Sequence, residues 1–341
     1  MLQFRNDTGL AGTIFLSPDP DGVDTVYAVV KGTFALGGLA EWGELVPAAE
    51  QLPVAPAPEY HGDPAASSIR VPSDLGLVKP GTDVLLVGHA HAPGRRPAPY
   101  VDVALAVGPV HRQLRVFGDR VWTGGALGAT PSPPEPFERM PLVWERAFGG
   151  VEQVGDLLHA ETRNPVGTGF RASDSEQAPD GLPLPNLEDP EQPITSPKDQ
   201  PAPTCFAPLA EHWEPRRSYA GTYDDAWQQH RAPYLPADFD PRFFQLAPPS
   251  LVASGYLQGG EPMEVRGATP GGVPLRFRLP AVRMTVAFTL DGGPQPVPAA
   301  LDTVLVEPDA GRVLLTWRAA LACDKRALRV REVRATVARA G

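Results

Sequence analysis

The chain has 341 residues, of which 42% are hydrophobic and 21% are charged, so it is long enough for one large or two modest domains with a packed core. Its formal net charge of −10 argues against general binding to nucleic acids. It has neither a run of about 18 apolar residues nor a basic N-terminus followed by an apolar stretch, which predicts a cytoplasmic protein without a membrane-spanning helix or a secretory signal.

Residues 1–130 are expected to form β-strands. Val26–Leu36 and Asp83–His91 are apolar runs with β-branched residues, and Tyr100–Val107 places valine and leucine at every second position. A fourth predicted strand, Gln113–Trp122, bends at Gly118 and Asp119. Short turn clusters separate these runs, which favours antiparallel pairing over β-α-β units.

Residues 131–250, here called the proline-rich segment, hold 21 of the 42 prolines and 13 of the 26 aromatic residues. Proline fixes φ and lacks a backbone donor, so this segment is not expected to be mainly helix or sheet. Disordered proline-rich segments are normally poor in aromatic residues. The composition therefore predicts an ordered, irregular segment that wraps over the strands and shapes a surface or a site.

Two short helices are predicted inside the proline-rich segment. Asp224–Arg231 has helical character, with Thr222 as a possible cap and Trp227 facing inward. Leu142–Phe148 is the second candidate, a single helical turn.

Residues 251–341 again contain short apolar runs separated by Gly and Pro turns, which predicts C-terminal strands. Pro308–Gly311 is expected to be the turn of a hairpin. The predicted fold is one mainly β unit over residues 1–341, an antiparallel β-sandwich or distorted barrel. The predicted C-terminal strands are Ser250–Leu257, Met263–Val265, Leu275–Leu279, Arg283–Leu290, Thr303–Glu307, Arg312–Trp317 and Leu328–Val337.

A metal site is one possible reading of the His-Ala-His sequence. His89 and His91 would lie on the same face of a strand, and two imidazoles can begin a zinc or iron site. The nearest further ligands would be His61 and Asp63. The alternative is that both histidines hydrogen-bond to loop backbone. Carboxylates of the kind used by glycoside hydrolases also lie beside aromatic residues, at Glu145, Asp224 and Asp225.

Other signatures of catalysis are weak. Cys205 and His212 could form a thiol nucleophile and its base, but they lie in a proline-rich stretch without an oxyanion-hole pattern. The sequence contains no nucleophile elbow, phosphate-binding loop, zinc-protease motif or dinucleotide fingerprint. Cys323 is far from Cys205, so both are expected to be free thiols.

Arginine and aromatic residues alternate through the proline-rich segment, and these residue types are enriched at protein interfaces. An equally open alternative is that the aromatic side chains are buried and the arginines bind carbonyl groups inside the protein. The arginines are Arg139, Arg146, Arg163, Arg171, Arg216, Arg217, Arg231 and Arg242. The residues predicted to contact a partner are Trp144, Arg146, Phe148, Trp213, Arg216, Arg217, Tyr223, Trp227 and Phe243.

Six stretches in order resemble a bacterial family of formerly unknown function whose genes lie beside those of the type VI secretion spike. The resemblance extends from about residue 2 to 320, although Cys205 stands where glycine is expected. The stretches are GDP with SSIRVPSDLGLVKPGTDVLLVGHAHAP (62–93), WERAFGG (144–150), NPVGTGF (164–170), LPNLEDP (184–190), WEPRRSYAGTYDDAWQQHRAPYLPADFDPRFF (213–244) and LQGGEPMEV (257–265).

This resemblance implies an adaptor or chaperone without enzymatic activity. Its partners would be a type VI effector, a PAAR-type tip domain and the VgrG spike, with no nucleic acid, membrane or cofactor. No catalytic residue can be carried over from the family. Asn164, Asn186 and Asp189 in its motifs equally suit structural turns beside proline. The alternatives are a metal- or carboxylate-dependent hydrolase and a structural component of the secretion apparatus.

Overall fold

The computed structural model describes residues 2–37, 42–125 and 128–338, and most of its regular structure is β. Three sheets of at least four strands are present in these residues, and none of them closes into a barrel. The mainly β prediction is confirmed. The pairing is mixed and not purely antiparallel, as four of the strand pairs described below are parallel.

The central sheet joins strands from both ends of the chain. Because Thr25–Phe34 in its second strand is buried throughout, both faces of this sheet are covered. Its strand order is β2 (Ala11–Pro18), β3 (Asp24–Ala35), β25 (Arg312–Ala322), β24 (Ala300–Glu307) and β8 (Asp83–Leu86), with β5 (Val46–Pro47) beside β3.

Two further sheets lie against this centre, and their longest strands show the predicted alternation. Val101, Val103, Leu105 and Val107 are buried while the residues between them are half-buried. The outer sheet runs β19 (Leu187–Glu188), β11 (Val110–Phe117), β10 (Tyr100–Val107), β20 (Pro262–Arg266), β21 (Leu275–Arg278) and β4 (Gly43–Glu44). The C-terminal sheet runs β1 (Gln3–Asn6), β26 (Glu332–Ala338), β22 (Arg283–Leu290) and β23 (Gly293–Pro298).

The remaining regular elements are short. The two-stranded pairs are β6 (Glu59–Tyr60) with β7 (Ile69–Val71), β9 (His89–His91) with β14 (Arg139–Pro141), β12 (Trp122–Gly125) with β13 (Gly128–Pro131), β15 (Phe148–Gly149) with β18 (Thr168–Gly169), and β16 (Val151–Val154) with β17 (Leu157–Ala160). The helices are α1 (Asp225–His230) and 3₁₀ turns at Trp144–Arg146, Arg217–Ala220, Pro241–Phe244, Pro249–Leu251, Pro308–Ala310 and Asp324–Arg329.

Several predicted boundaries change. Ser250–Leu257 is wrong as a strand, because Pro249–Leu251 forms a 3₁₀ turn followed by bends. Helix α1 is present, but Asp224 caps it in place of Thr222, and Trp227 is only half-buried. The expectation of free thiols is confirmed, since both cysteines are buried and unbonded.

Candidate binding cleft

Three of the predicted partner-contact residues lie in the protein core. Trp144 and Phe148 are each 2% exposed and Trp213 is 1% exposed. The indole Nε1 of Trp144 donates to the carbonyl oxygens of Ala207 and Pro208, at 3.1 and 3.0 Å. The rings of Trp144 and Trp213 meet edge to face with centroids 6.1 Å apart. Trp144 and Trp213 therefore fix the proline-rich segment to the main core, and Phe148 is buried in a separate smaller cluster. None of the three is available to a partner, which corrects the prediction for them.

The other six predicted contact residues differ in how far their side chains are exposed. Arg146 is half-buried and donates from Nη1 to Asp119 Oδ1 at 2.7 Å. Arg216 is buried, with 7% of its surface exposed. The side chains that lie wholly or partly at the surface are Arg217, Tyr223, Trp227 and Phe243. For these four residues, contact with a partner stays a prediction.

The histidine pair binds a carboxylate. On β9, His89 Nδ1 and His91 Nε2 each lie 2.7 Å from an oxygen of Asp309, in the turn between β24 and β25. The guanidinium of Arg139 lies 3.0 Å from His89 Nδ1. The two histidines thus bind the Asp309 carboxylate, and not the loop backbone that was the alternative considered from the sequence. Within residues 2–37, 42–125 and 128–338, no group of three or more His, Cys, Asp or Glu side chains is arranged to hold a metal ion.

The candidate catalytic carboxylates form hydrogen bonds that hold the backbone in place, and the candidate thiol is buried. Glu145 accepts hydrogen bonds from the backbone nitrogen and the hydroxyl of Ser68, both at 2.7 Å. Asp224 accepts from the backbone nitrogen of Trp227 at 2.8 Å and so caps α1. Burial raises the pKa of the Cys205 thiol to about 12, which disfavours the thiolate needed for nucleophilic attack.

The asparagines of the family-like motifs connect separate segments. Asn164 is fully buried, and its Nδ2 donates to the carbonyl oxygens of Trp144 and Phe148, both at 2.9 Å. Asn186 donates to the last carbonyl of β11 at 3.1 Å. Asp189 accepts from the backbone nitrogen two residues further on, as predicted for a turn. These side chains stabilise the irregular backbone between the strands.

A cleft lies where the proline-rich segment meets the loop after β7 and the 3₁₀ turn at Pro249–Leu251. It consists of two adjoining cavities of about 370 and 320 Å³, which share Leu209, Pro215 and Pro249. The larger, the polar cavity, is also lined by Arg216, Tyr219, Arg242, Gln245 and Ser254. The smaller, the apolar cavity, is also lined by Trp144, Ala202, Pro203 and Pro248, with Arg163 and Glu214 as its two charged residues.

The lining of the polar cavity contains two arginines and no acidic residue. One of them, Arg242, is paired with Asp240, with Nε 2.8 Å from Oδ2. Its guanidinium also lies 4.3 Å from the ring centroid of Tyr219. The charge of Arg242 is therefore already balanced by a neighbouring residue.

Arg216 is different, because no carboxylate of the described residues forms an ion pair with it. Its Nε donates to the carbonyl oxygen of Phe243 at 2.9 Å, and Nη1 donates to that of Leu209 at 2.6 Å. Nη2 has no hydrogen-bond partner among the described side chains and backbone. Burial lowers the pKa of Arg216, since desolvation disfavours the charged guanidinium. The polar cavity thus contains a buried cation with no carboxylate in direct contact, and the charges of Asp83 and Glu211 act on it only from beyond ion-pair distance.

Gln245 adds a buried acceptor to the same lining. Only 5% of its surface is exposed, and its Nε2 donates to the carbonyl oxygen of Gly81 at 2.9 Å. That bond fixes the orientation of the amide, and Oε1 is buried without a partner. No pattern in the sequence distinguishes this glutamine, whereas Arg216 was found through its aromatic neighbours.

A larger cavity of about 520 Å³ lies between the C-terminal sheet and the central sheet. Its lining includes Arg283 and Thr285, but none of its lining residues has a buried, unpartnered polar atom. The chemistry for recognising a ligand is therefore concentrated in the cleft.

The chain matches a known protein family over most of its length. A family model described as "uncharacterized protein conserved in bacteria" (DUF2169) matches residues 21–318. The chain belongs to this family. The match includes the whole lining of the cleft, and it carries no statement about secretion. No curated protein and no solved structure matches the chain. None of the helices in the described residues is long and apolar enough to cross a membrane.

Proposed function

We propose that this protein is a cytoplasmic, non-enzymatic adaptor that binds a type VI secretion effector and helps to load it onto the VgrG spike with its PAAR tip. The cleft is the observation that carries this proposal. It is built largely by the proline-rich segment, where most of the family-like motifs lie. Ligand sites are concave, mostly apolar and furnished with a few polar groups, and the cleft has these properties.

The candidate catalytic groups give the proposal indirect support. The Glu145 carboxylate is held by Ser68, the two histidines bind Asp309, and Cys205 is a buried thiol. Each therefore has a structural role or setting. Binding is the activity that remains for the polar and apolar surface gathered at the cleft.

The proposal is tested by co-expressing the chain with the spike, tip and effector proteins encoded beside its gene. We expect a stable complex with one of them on size-exclusion chromatography. Pro249→Glu, which places a charge on a residue shared by the two cavities, should weaken that complex at least tenfold. Pro294→Glu, on the exposed edge strand β23, is the matched control. Absence of a complex with any of these proteins would refute the proposal.

A further inference from the structure

The polar cavity contains two unmet interactions within the described residues. Arg216 is a buried cation with a free Nη2 and no ion-pair partner, and Gln245 is a buried amide whose Oε1 accepts no hydrogen bond. Both residues line the same cavity. The two are also close in space, because the carbonyl that accepts from Arg216 belongs to Phe243, two residues before Gln245.

Buried polar groups that lack a partner within the protein indicate which groups a ligand must supply. A buried charge is normally paired, and a buried acceptor normally has a donor. Nε and Nη1 of Arg216 already donate to backbone carbonyls, so Nη2 is the nitrogen left for a ligand, and a charge-assisted hydrogen bond from it favours an anionic oxygen such as that of a carboxylate. The acceptor Oε1 requires a donor N–H near that carboxylate. Sulfate carries acceptor oxygens only and would leave Oε1 without a donor. Hydrogen phosphate keeps a P–OH donor at neutral pH, so phosphate is disfavoured only by the apolar cavity that adjoins the site.

We propose that the polar cavity binds the C-terminal carboxylate of the partner polypeptide. In this arrangement Arg216 donates to the carboxylate, and the last peptide N–H of the partner donates to Oε1 of Gln245. This inference rests on the proposed function, because it takes the partner to be a polypeptide. It specifies which part of that partner is recognised.

The surroundings of the cavity support a chain end over an internal acidic side chain. Through Leu209, Pro215 and Pro249 the polar cavity continues into the apolar cavity, which is lined mainly by proline, alanine and tryptophan carbon atoms. Arg216 also lines a smaller cavity of about 110 Å³. The larger space for the preceding residues of a chain is therefore the one that continues into the apolar cavity.

The local charge fits this ligand. The chain as a whole carries a formal net charge of −10, yet the residues lining the polar cavity include two arginines and no Asp or Glu. Asp240 lies outside that lining and balances Arg242. A carboxylate placed against Arg216 would therefore meet no acid in the lining of the polar cavity itself. The one acidic residue in the lining of the adjoining apolar cavity is Glu214, which lies there together with Arg163.

Short peptides test the site on the full chain without an identified partner. The probe is N-acetyl-alanyl-leucine with a free C-terminal carboxylate, titrated to millimolar concentration by ligand-detected NMR. The same dipeptide with a C-terminal amide removes the charge, and N-acetyl-aspartyl amide supplies a side-chain carboxylate. We expect the free acid to bind at least about tenfold more tightly than both, as charge-assisted hydrogen bonds require. Equal dissociation constants for acid and amide, or no binding of the acid, would overturn the proposal. Preference for the aspartyl probe would overturn the assignment to a chain end.

Variants locate the binding. Gln245→Glu is nearly isosteric and supplies a carboxylate from the protein itself, so it should reduce binding of the free acid at least about tenfold. Arg216→Gln should do the same, provided that its thermal unfolding shows a folded protein. Ser254→Asp adds a charge to an exposed residue of the lining. It should weaken binding of the free-acid peptide severalfold without affecting binding of the amide peptide. Ser173→Asp makes the same change at an exposed position outside the lining and serves as the control. Unchanged affinity in Gln245→Glu and Ser254→Asp would place the ligand elsewhere.

Two outcomes separate this inference from the proposed function. A partner complex that survives Gln245→Glu and C-terminal amidation of the partner would leave the adaptor function standing and refute the carboxylate site. Binding of the free-acid probe without any complex with neighbouring secretion proteins would do the reverse.

Discussion

Asp83 lies at the junction between the central sheet and the proline-rich segment. It has no exposed surface, its Oδ2 lies 2.7 Å from Lys79 Nζ, and its oxygens accept from the backbone nitrogens of Leu246 and Ala247. One carboxylate therefore holds β8, the preceding loop and the end of the proline-rich segment together. Such an ion pair is worth little against an apolar replacement of both partners, but removal of one partner leaves the other charge buried.

Asp83→Ala should therefore lower the free energy of unfolding by about 3–5 kcal/mol, because Lys79 loses a partner and two buried N–H groups lose their acceptor. Denaturant titration measures the change. Asp291→Ala is the control, since its pair with Arg331 is exposed and should contribute at most about 1 kcal/mol. Similar losses in both variants would contradict the argument.

His89 and Asp309 make stability depend on pH. Burial lowers the pKa of His89 and outweighs the hydrogen bond with Asp309. At Asp309, burial raises the pKa, but hydrogen bonds from His91 and His89 outweigh it, and the pKa lies below its usual value. Both groups bind protons more readily in the unfolded chain, so acidification favours unfolding. The contribution of His89 is lost as the pH falls below about 6.5, and that of Asp309 only in strong acid.

His89→Gln should therefore reduce the loss of unfolding free energy between about pH 7.5 and 5.5. The measurement is a series of denaturant titrations across that range. His111→Gln, which removes an exposed imidazole on β11, is the matched control. A pH dependence that is the same in both variants would show that the cluster on β9 is not its source.

At the scale of elements, the ends of strands depend on contacts that the local pattern does not contain. The predicted strand Gln113–Trp122 ends at Phe117, since Gly118 donates to the carbonyl oxygen of Pro99 at 2.9 Å and passes close to Glu135. The predicted strand Asp83–His91 divides into β8 and β9 at Gly88, whose φ of 159° differs from that of a regular strand.

Gly118→Ala tests the close approach at the end of β11. A Cβ atom there would lie 1.7 Å from the carbonyl oxygen of Glu135, so backbone must move and stability should fall by more than about 2 kcal/mol. Gly292→Ala is the control, because a Cβ atom there meets no atom within 4 Å. Thermal unfolding of the two variants compares them directly. Equal melting temperatures of the two variants would show that the end of β11 and the backbone at Glu135 can move apart without loss of stability.

At the scale of the whole molecule, the two ends of the chain build common sheets. Strand β25 pairs with β3 over the register from Arg312 opposite Ala35 to Ala322 opposite Thr25. Strand β26 pairs with β1, here in parallel, at the edge of the C-terminal sheet. The proline-rich segment lies between these regions in sequence, and its buried Trp144, Phe206 and Trp213 share one core with both. The cleft is a product of this arrangement, because its lining comes from residues 80–255.

The sequence by itself determined the mainly β class and the position of long strands such as Tyr100–Val107 and Arg283–Leu290. It also determined that the proline-rich segment is ordered although irregular. These are local properties, since alternation and proline content act on neighbouring residues. Only the tertiary structure decided that Trp144 and Trp213 face the core, that the histidines meet Asp309, and that Arg216 and Gln245 share a cavity. An irregular segment has no repeating pattern of buried positions, so the inward and outward directions of its side chains follow from long-range packing.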